Sequence, residues 1–209
     1  MSNISRPISI IEGRDPLVLQ TMLNFNARPG AVVLDVTANR RRMWHGVSWS
    51  GPVTYTDLDP DAKPDIVADF RALPVAVASV DVLVFDPPHV PDAGHMGEWW
   101  KDYGLESATK LDYVSSYFGP FLREASRVLR PGGLIFAKLK DYVHNHRYQW
   151  MLVEWVLAVR DTPGLTPCDL IVKKDPCGGN LKSGRWKQAH HARNAHCWWA
   201  VVRKGRCEP

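Results

Sequence analysis

The feature that most constrains this chain is a set of four short apolar runs, rich in β-branched residues, each closed or followed at once by an aspartate. Ala31 to Val36 (AVVLDV) carries Asp35, Val53 to Asp57 (VTYTD) ends in Asp57, Asp65 to Ala68 (DIVA) runs into Asp69, and Val80 to Phe85 (VDVLVF) runs into Asp86. Runs of this length and composition read as buried strands. Around them lie stretches with apolar residues at helical spacing: Asp15 to Ala27, Lys110 to Leu129 and Tyr148 to Val159. Asp15-Pro16 reads as a cap followed by a first-turn proline, and Pro131-Gly132-Gly133 as the stop of the second helix. Leu134 to Leu139 gives a fifth strand, and Leu170 to Val172 and Trp198 to Val202 give two more. The last two are joined by a long basic loop without a helix, so they pair antiparallel at one edge. The expected fold is α/β: a doubly wound sheet of about seven strands, mostly parallel, with an antiparallel C-terminal edge pair.

Composition narrows the class. A length of 209 residues suits one domain spanning 1–209, with a helical lead over 1–30. A content of 45% hydrophobic and 23% charged residues excludes a disordered chain. The longest apolar stretch, Met151 to Val159, contains Glu154 and is too short to cross a bilayer. The opening MSNISRPISIIEGRD lacks a secretory pattern, so the four cysteines are expected as free thiols in a reducing, cytoplasmic setting. Cys168, Cys177, His190, His191, His196, Cys197 and Cys207 crowd the C-terminal part, but none shows the short spacing of a structural zinc site, and no metal is expected. His144 and His146 read as surface or capping residues. The net charge of +4 is unevenly spread: Lys173 to Arg206 holds nine cations and only Asp175 against them, leaving the rest of the chain at −4. A basic end on an acidic body fits a polyanionic partner.

In an open α/β sheet, ligands bind beyond the carboxyl ends of the strands, near the point where strand order reverses. Four strands delivering four acids to one rim place the chemistry there. The fourth carries Asp86-Pro87-Pro88-His89. An exocyclic base amine is a poor nucleophile, because its lone pair is conjugated with the ring. A carboxylate and a backbone carbonyl accepting its two hydrogens draw the nitrogen toward a tetrahedral shape. Prolines suit such a turn: they fix φ and remove donors, so the backbone presents acceptors only. An imidazole at His89 then covers the face of an extruded base.

With these residues in view, the stretch from Ala31 to Leu139 resembles the class I S-adenosylmethionine-dependent methyltransferases, specifically those that methylate base amines through an Asp-Pro-Pro-aromatic turn. The string DIVADFRALP…VDVLVFDPPH and the closing HCWWAVVRK are also similar to small phage and bacterial methyltransferase-like proteins. The resemblance implies a Rossmann-like fold and S-adenosylmethionine as cofactor. It assigns Asp57 to the ribose hydroxyls and Asp69 to the adenine amine, with Phe70 beside the ring. Asp35, Thr37 and Asn39 stand at the first-strand loop, where small Thr37 and Ala38, and Asn39, a residue that tolerates the left-handed region, take the place of the family's glycines. Asp86 and Pro87 orient the amine and His89 stacks on the base. One guanidinium of Arg40-Arg41-Arg42 is available for a carboxylate or phosphate. Residues 90–105 read as a lid in which Trp99 or Trp100 stacks, and the basic loop 173–197 contributes Lys182, Arg185 and Arg193 to a nucleic-acid backbone.

The expected activity is methylation of a nucleic-acid base amine, DNA ahead of RNA, at adenine N6 or cytosine N4. An RNA-base or protein-glutamine methyltransferase is the alternative within the enzyme class. A non-catalytic nucleic-acid-binding relative is the alternative outside it.

Overall fold

A computed structural model describes residues 7–87, 117–144, 147–176, 191–192 and 194–207. An eight-stranded sheet is built from β1 (Ile10–Glu12), β2 (Val33–Asp35), β3 (Val53–Asp57), β4 (Ile66–Val67), β5 (Val80–Phe85), β6 (Leu129–Leu139), β9 (Leu165–Lys174) and β10 (His196–Lys204), with β7 (Tyr142–His144) and β8 (Arg147–Gln149) forming a separate hairpin. The spatial order is β1-β9-β10-β6-β5-β2-β3-β4. Within this sheet every pairing is parallel except the two made by β10, so β10 alone opposes its other strands. The chain passes from β2 outward through β3 and β4, then returns to place β5 on the other side of β2. That reversal opens a crevice at the carboxyl ends of β2 and β5.

Two-residue strand periodicity sends alternate side chains to opposite faces, and each face carries its own core. Leu34, Leu83, Phe85, Ile135 and Ala137 pack under α2 (Gly119–Val128) and α3 (Met151–Arg160), together with Phe121 and Trp155. Val33, Val82, Val84, Leu134 and Phe136 pack under α1 (Asp15–Asn26), which contributes Val18, Leu19, Met22 and Leu23. The rings of Phe85 and Phe121 stack at 3.9 Å between centroids, with Trp155 5.9 Å from Phe85. Each such fully buried side chain contributes roughly 1.5–3 kcal/mol by leaving water.

The α/β class, the largely parallel sheet and the antiparallel β9–β10 pair match the sequence expectation. Several boundaries differ. Three residues before α1 form an eighth strand, β1, which pairs with β9 and carries too little pattern to be recognised alone. The helix read from Lys110 is described from Gly119 and ends at Val128, before the Pro-Gly-Gly triplet. That triplet is a kink inside β6: Gly132 sits at φ 80°, and a Cβ on Gly133 would lie 2.9 Å from the Arg130 carbonyl oxygen. Tyr148 belongs to the hairpin, and α3 starts at Met151. Asp15 is not a cap. The cap residue is Arg14, and no side chain bonds the helix start. The expectation of free thiols is overturned for one pair, since Cys168 and Cys207 are joined by a disulfide across 39 residues, while Cys197 stays a buried free thiol. None of the helices described is long and apolar enough to cross a membrane.

Candidate functional site

The strand-end acids do converge on one rim, because parallel strands share a carboxyl end and each acid sits at or just past its strand. Asp35 is wholly buried; its carboxylate accepts the Thr37 N–H at 3.1 Å and the Trp44 Nε1–H at 2.6 Å. It carries no ion pair among the described residues. Burial therefore pushes its carboxyl up to about 7, the Trp44 and Thr37 bonds opposing and the neighbouring Asp86 and Asp57 adding to the rise. Asp57, also buried, accepts the Asn39 N–H at 2.6 Å and the Asp59 N–H at 3.0 Å, one on each oxygen. Asn39 adopts the left-handed conformation at φ 44°, as the small-residue loop requires. Thr37 links this loop to the fourth rim acid: its Oγ1 accepts the Asp86 N–H at 2.7 Å. Asp35, Thr37, Asn39, Asp57 and the start of the Asp86-Pro87 turn thus form one connected cluster at the strand reversal.

Asp69 and Phe70 follow β4 by two and three residues. Asp69 is gripped by Arg71 through Nε and Nη2, at 2.9 and 2.6 Å. Burial opposes ionisation there, but those bonds hold its carboxyl below the usual range. Phe70 is buried against Phe85, Tyr117 and Phe121, so its ring is a core element. Of the arginine triplet, Arg41 pairs with Asp65 at 2.8 Å and lies 4.2 Å over the Tyr55 ring, while Arg40 and Arg42 are exposed. His89, Trp99, Trp100, Lys182, Arg185 and Arg193 lie outside the described residues, as do Pro88, Cys177 and His190.

The basic end divides sharply. Lys173 is buried between Asp15 and Asp175, Lys174 pairs with Glu12 at 2.9 Å, Arg203 donates to the Gly132 carbonyl, and Lys204 donates to the carbonyls of Ser126 and Leu129. Four of the nine cations are therefore occupied within the sheet and its neighbours. Strand pairing draws Lys173 and Lys204 toward the body, whereas Lys174 and Arg203 make their contacts at the surface, so the reading of the whole segment as a polyanion clamp is narrowed by the two inward lysines.

Two rim groups were missed in the sequence. Asp141, just past β6, is buried and accepts the Leu152 N–H at 3.2 Å and the Trp198 Nε1–H at 3.0 Å, fixing the start of α3. It repeats the strand-then-acid pattern a fifth time, and that pattern was its signal. Lys138, inside β6, donates to Asp86 Oδ2 at 3.0 Å. Its signal was a lone lysine in the apolar run LIFAKL. Among the described residues no group of three His, Cys, Asp or Glu could hold a metal.

No protein-family model matches the chain, and no curated protein does. Solved structures do. TrmN from Thermus thermophilus aligns at TM-score 0.53 and 20% identity, over 90% of this chain and 48% of TrmN. The fold is methyltransferase-like. This chain spans about half the length of that protein. The 1,6-didemethyltoxoflavin-N1-methyltransferase of Burkholderia thailandensis, crystallised with 1,6-didemethyltoxoflavin and S-adenosylhomocysteine, aligns at 0.52 and 19% identity over 92% of this chain and 77% of its own. The [4+2]-cyclase SpnF aligns at 0.60 and 14% identity over 91% and 81%. At these identities the likeness carries the architecture, and a cyclase among the matches shows that the architecture alone does not name a reaction.

Proposed function

We propose that this chain transfers a methyl group from S-adenosylmethionine to an exocyclic amine of a nucleic-acid base. The observation that carries the reading is the bond from the Asp86 N–H to Thr37 Oγ1, which ties the Asp-Pro-Pro-His turn to the first-strand loop. That bond brings the acceptor turn and the cofactor loop to the same crevice. The donor set suits a sulfonium cofactor: Asp35 and Asp57 are buried carboxyl groups without ion pairs among the described residues, and a cation is what such a pair lacks. Both Asp57 oxygens accept one N–H each and retain a second lone pair for ribose hydroxyls. The methyltransferases among the matched structures, one holding S-adenosylhomocysteine, favour the same cofactor.

In this reading S-adenosylmethionine supplies an electrophilic methyl group. Asp86 and the Pro87 carbonyl accept the hydrogens of the amine and orient its nitrogen, and His89 stacks on the base. Asp35, Thr37, Asn39 and Asp57 shape the cofactor side, with Asp69 at its adenine end and Phe70 beside the ring. Trp99 and Trp100 contribute stacking, and Lys182, Arg185 and Arg193 bind phosphates. The main contributions are positioning and electrostatics. The substrate is DNA or RNA; the sequence lean to DNA gains nothing from the fold.

A second reading, a non-catalytic nucleic-acid-binding relative, is favoured by one observation: Arg71 already occupies the Asp69 carboxylate. Calorimetry with S-adenosylmethionine separates the two. Micromolar binding weakened at least tenfold by Asp57→Ala supports the enzyme, and absence of binding supports the relative. Mass spectrometry of nucleosides from DNA and RNA incubated with labelled cofactor then tests the reaction itself; no methylated base on either polymer removes it.

A further inference from the structure

A ladder of alternating charges leads away from the Asp86 turn into the body of the protein. Asp86 Oδ2 accepts from Lys138 Nζ at 3.0 Å, and the same ammonium reaches Asp15 Oδ2 at 3.1 Å. The other Asp15 oxygen is 3.0 Å from Lys173 Nζ, which lies 2.9 Å from Asp175. Strand register builds this arrangement. Lys138 faces Trp199 across β6–β10, and Lys173 faces Cys197 across β10–β9, two residues along the same strand. Residues two apart on one strand share a face, so both lysines stand on the face that α1 covers. The first residue of α1, Asp15, inserts between them. The Lys138 and Lys173 side chains are only 14% and 9% exposed.

We infer that Lys138 is a positioning residue for Asp86: seated on Asp15, it fixes the Asp86 carboxylate in one place and in its ionised form. The inference rests on the proposed reading of Asp86 as the acceptor for the base amine, since only an ionised, stationary carboxylate accepts that hydrogen well. On β2, Asp35 is electrostatically unfavourable to further negative charge. On β10, burial pushes the Cys197 thiol up to about 11, so it adds no charge at neutral pH. On β9 and just beyond it, Lys173 and Asp175 offset each other. Burial opposes the Lys138 charge, but Asp86 and Asp15 outweigh burial and hold its ammonium above the usual range. Lys138 is in direct ionic contact with Asp86.

The test is a carboxyl 13C titration of Asp86, its resonance assigned by loss in Asp86→Asn, combined with methyl-transfer kinetics. In Lys138→Met the Asp86 midpoint rises by one unit or more, a tenfold gain in proton affinity. In Asp15→Asn it falls, because Lys138 then serves Asp86 alone. Opposite signs distinguish an electrostatic hold from mere loosening, which moves both variants the same way. In Lys138→Met, kcat at neutral pH falls at least tenfold, KM for the cofactor stays within twofold, and the acid limb of the kcat profile moves up with the titration. Lys138→Arg recovers most of the loss. An unmoved midpoint in Lys138→Met, or a moved midpoint with unchanged kcat and acid limb, overturns the inference. If the wild type methylates neither polymer, the nucleic-acid reading falls, and the titration alone decides whether Lys138 sets the charge of Asp86.

Discussion

Asp35 and Asp81 are the same residue type at opposite ends of one sheet, and their surroundings drive them apart. Asp81, at the amino end of β5, is met by Arg28 at 3.0 Å, Arg130 at 2.7 Å and the Val32 N–H at 2.8 Å. Burial opposes its charge, but those donors hold its carboxyl below the usual range. Asp35, at the carboxyl end of β2, has two uncharged donors and acidic neighbours, and rises to about 7. The amino end is self-sufficient. It also carries a depression of about 220 Å³ lined by Arg28, Asp81, Gly132 and Arg203, in which Arg28 already serves Asp81 and Arg203 the Gly132 carbonyl. At the carboxyl end Asp35 and Asp57 have no ion pair among the described residues, the condition in which a cationic ligand gains most from binding.

The largest effect expected is chemical. Asp86→Ala should lower the rate of methyl transfer on the order of 10²-fold or more, comparable with removal of one well-placed transition-state partner. A single-turnover assay with labelled cofactor measures it, and a thermal melt within a few degrees of wild type shows that the fold survives. At the other end of the sheet the effect should be structural: Asp81→Ala leaves Arg130 and the Val32 N–H without their acceptor and costs about 2–3 kcal/mol in urea unfolding. Turnover per folded molecule should stay within twofold. If Asp81→Ala abolishes turnover as Asp86→Ala does, the division into a structural and a chemical end breaks.

A third effect concerns pH, and its sign follows from the direction of each shift. The folded state raises the Asp35 carboxyl from 3.8 to about 7, so it favours the protonated form. The stability this group adds is complete below about pH 4 and is lost as pH climbs toward 7. Asp81 behaves oppositely, its contribution present above the usual carboxylate range and lost as pH falls through it. Urea unfolding between pH 4 and 8 should therefore show wild type losing stability relative to Asp35→Asn as pH rises. A flat difference would contradict the assignment. With ligand the effect is sharper: S-adenosylmethionine binding near pH 7, where Asp35 is about half protonated, should release up to about half a proton, detected by calorimetry in two buffers of different ionisation enthalpy, and Asp35→Asn should abolish the release. The smallest effect is on the basic segment. Lys204→Met should cost about 1 kcal/mol of stability and leave the salt dependence of nucleic-acid binding unchanged, whereas Lys182→Ala should reduce the slope by roughly one ion.

Much of the rim was legible in the chain because parallel strands impose a shared direction. Once AVVLDV, VTYTD, DIVA and VDVLVF are read as parallel neighbours, Asp35, Asp57, Asp69 and Asp86 must come to the same end. The stretch LIFAKLKD obeys the same rule, and Asp141 was within reach of it. What Asp69 and Lys173 touch was not legible. Arg71 closes on Asp69 through a two-residue turn, and Lys173 enters the body only because β9 pairs with β10 and places it under α1. Charge counting treats such a lysine as solvated until register says otherwise. The cysteines show the same limit: 39 residues apart, Cys168 and Cys207 meet because β10 runs back along β9.

The amino-acid sequence by itself determined the α/β class and the end of the sheet to which the strand-end acids come. These follow from local periodicity and from residues adjacent in the chain. Tertiary structure decided the strand order, the eighth strand, and the partners that set each acid's charge. Several of those partners are remote in the chain: Arg130 is 49 residues from Asp81, and Lys138 is 123 from Asp15. No local pattern encodes such meetings. They arise when buried strands align in register and a charge that cannot stay unpaired in a dry interior finds its opposite.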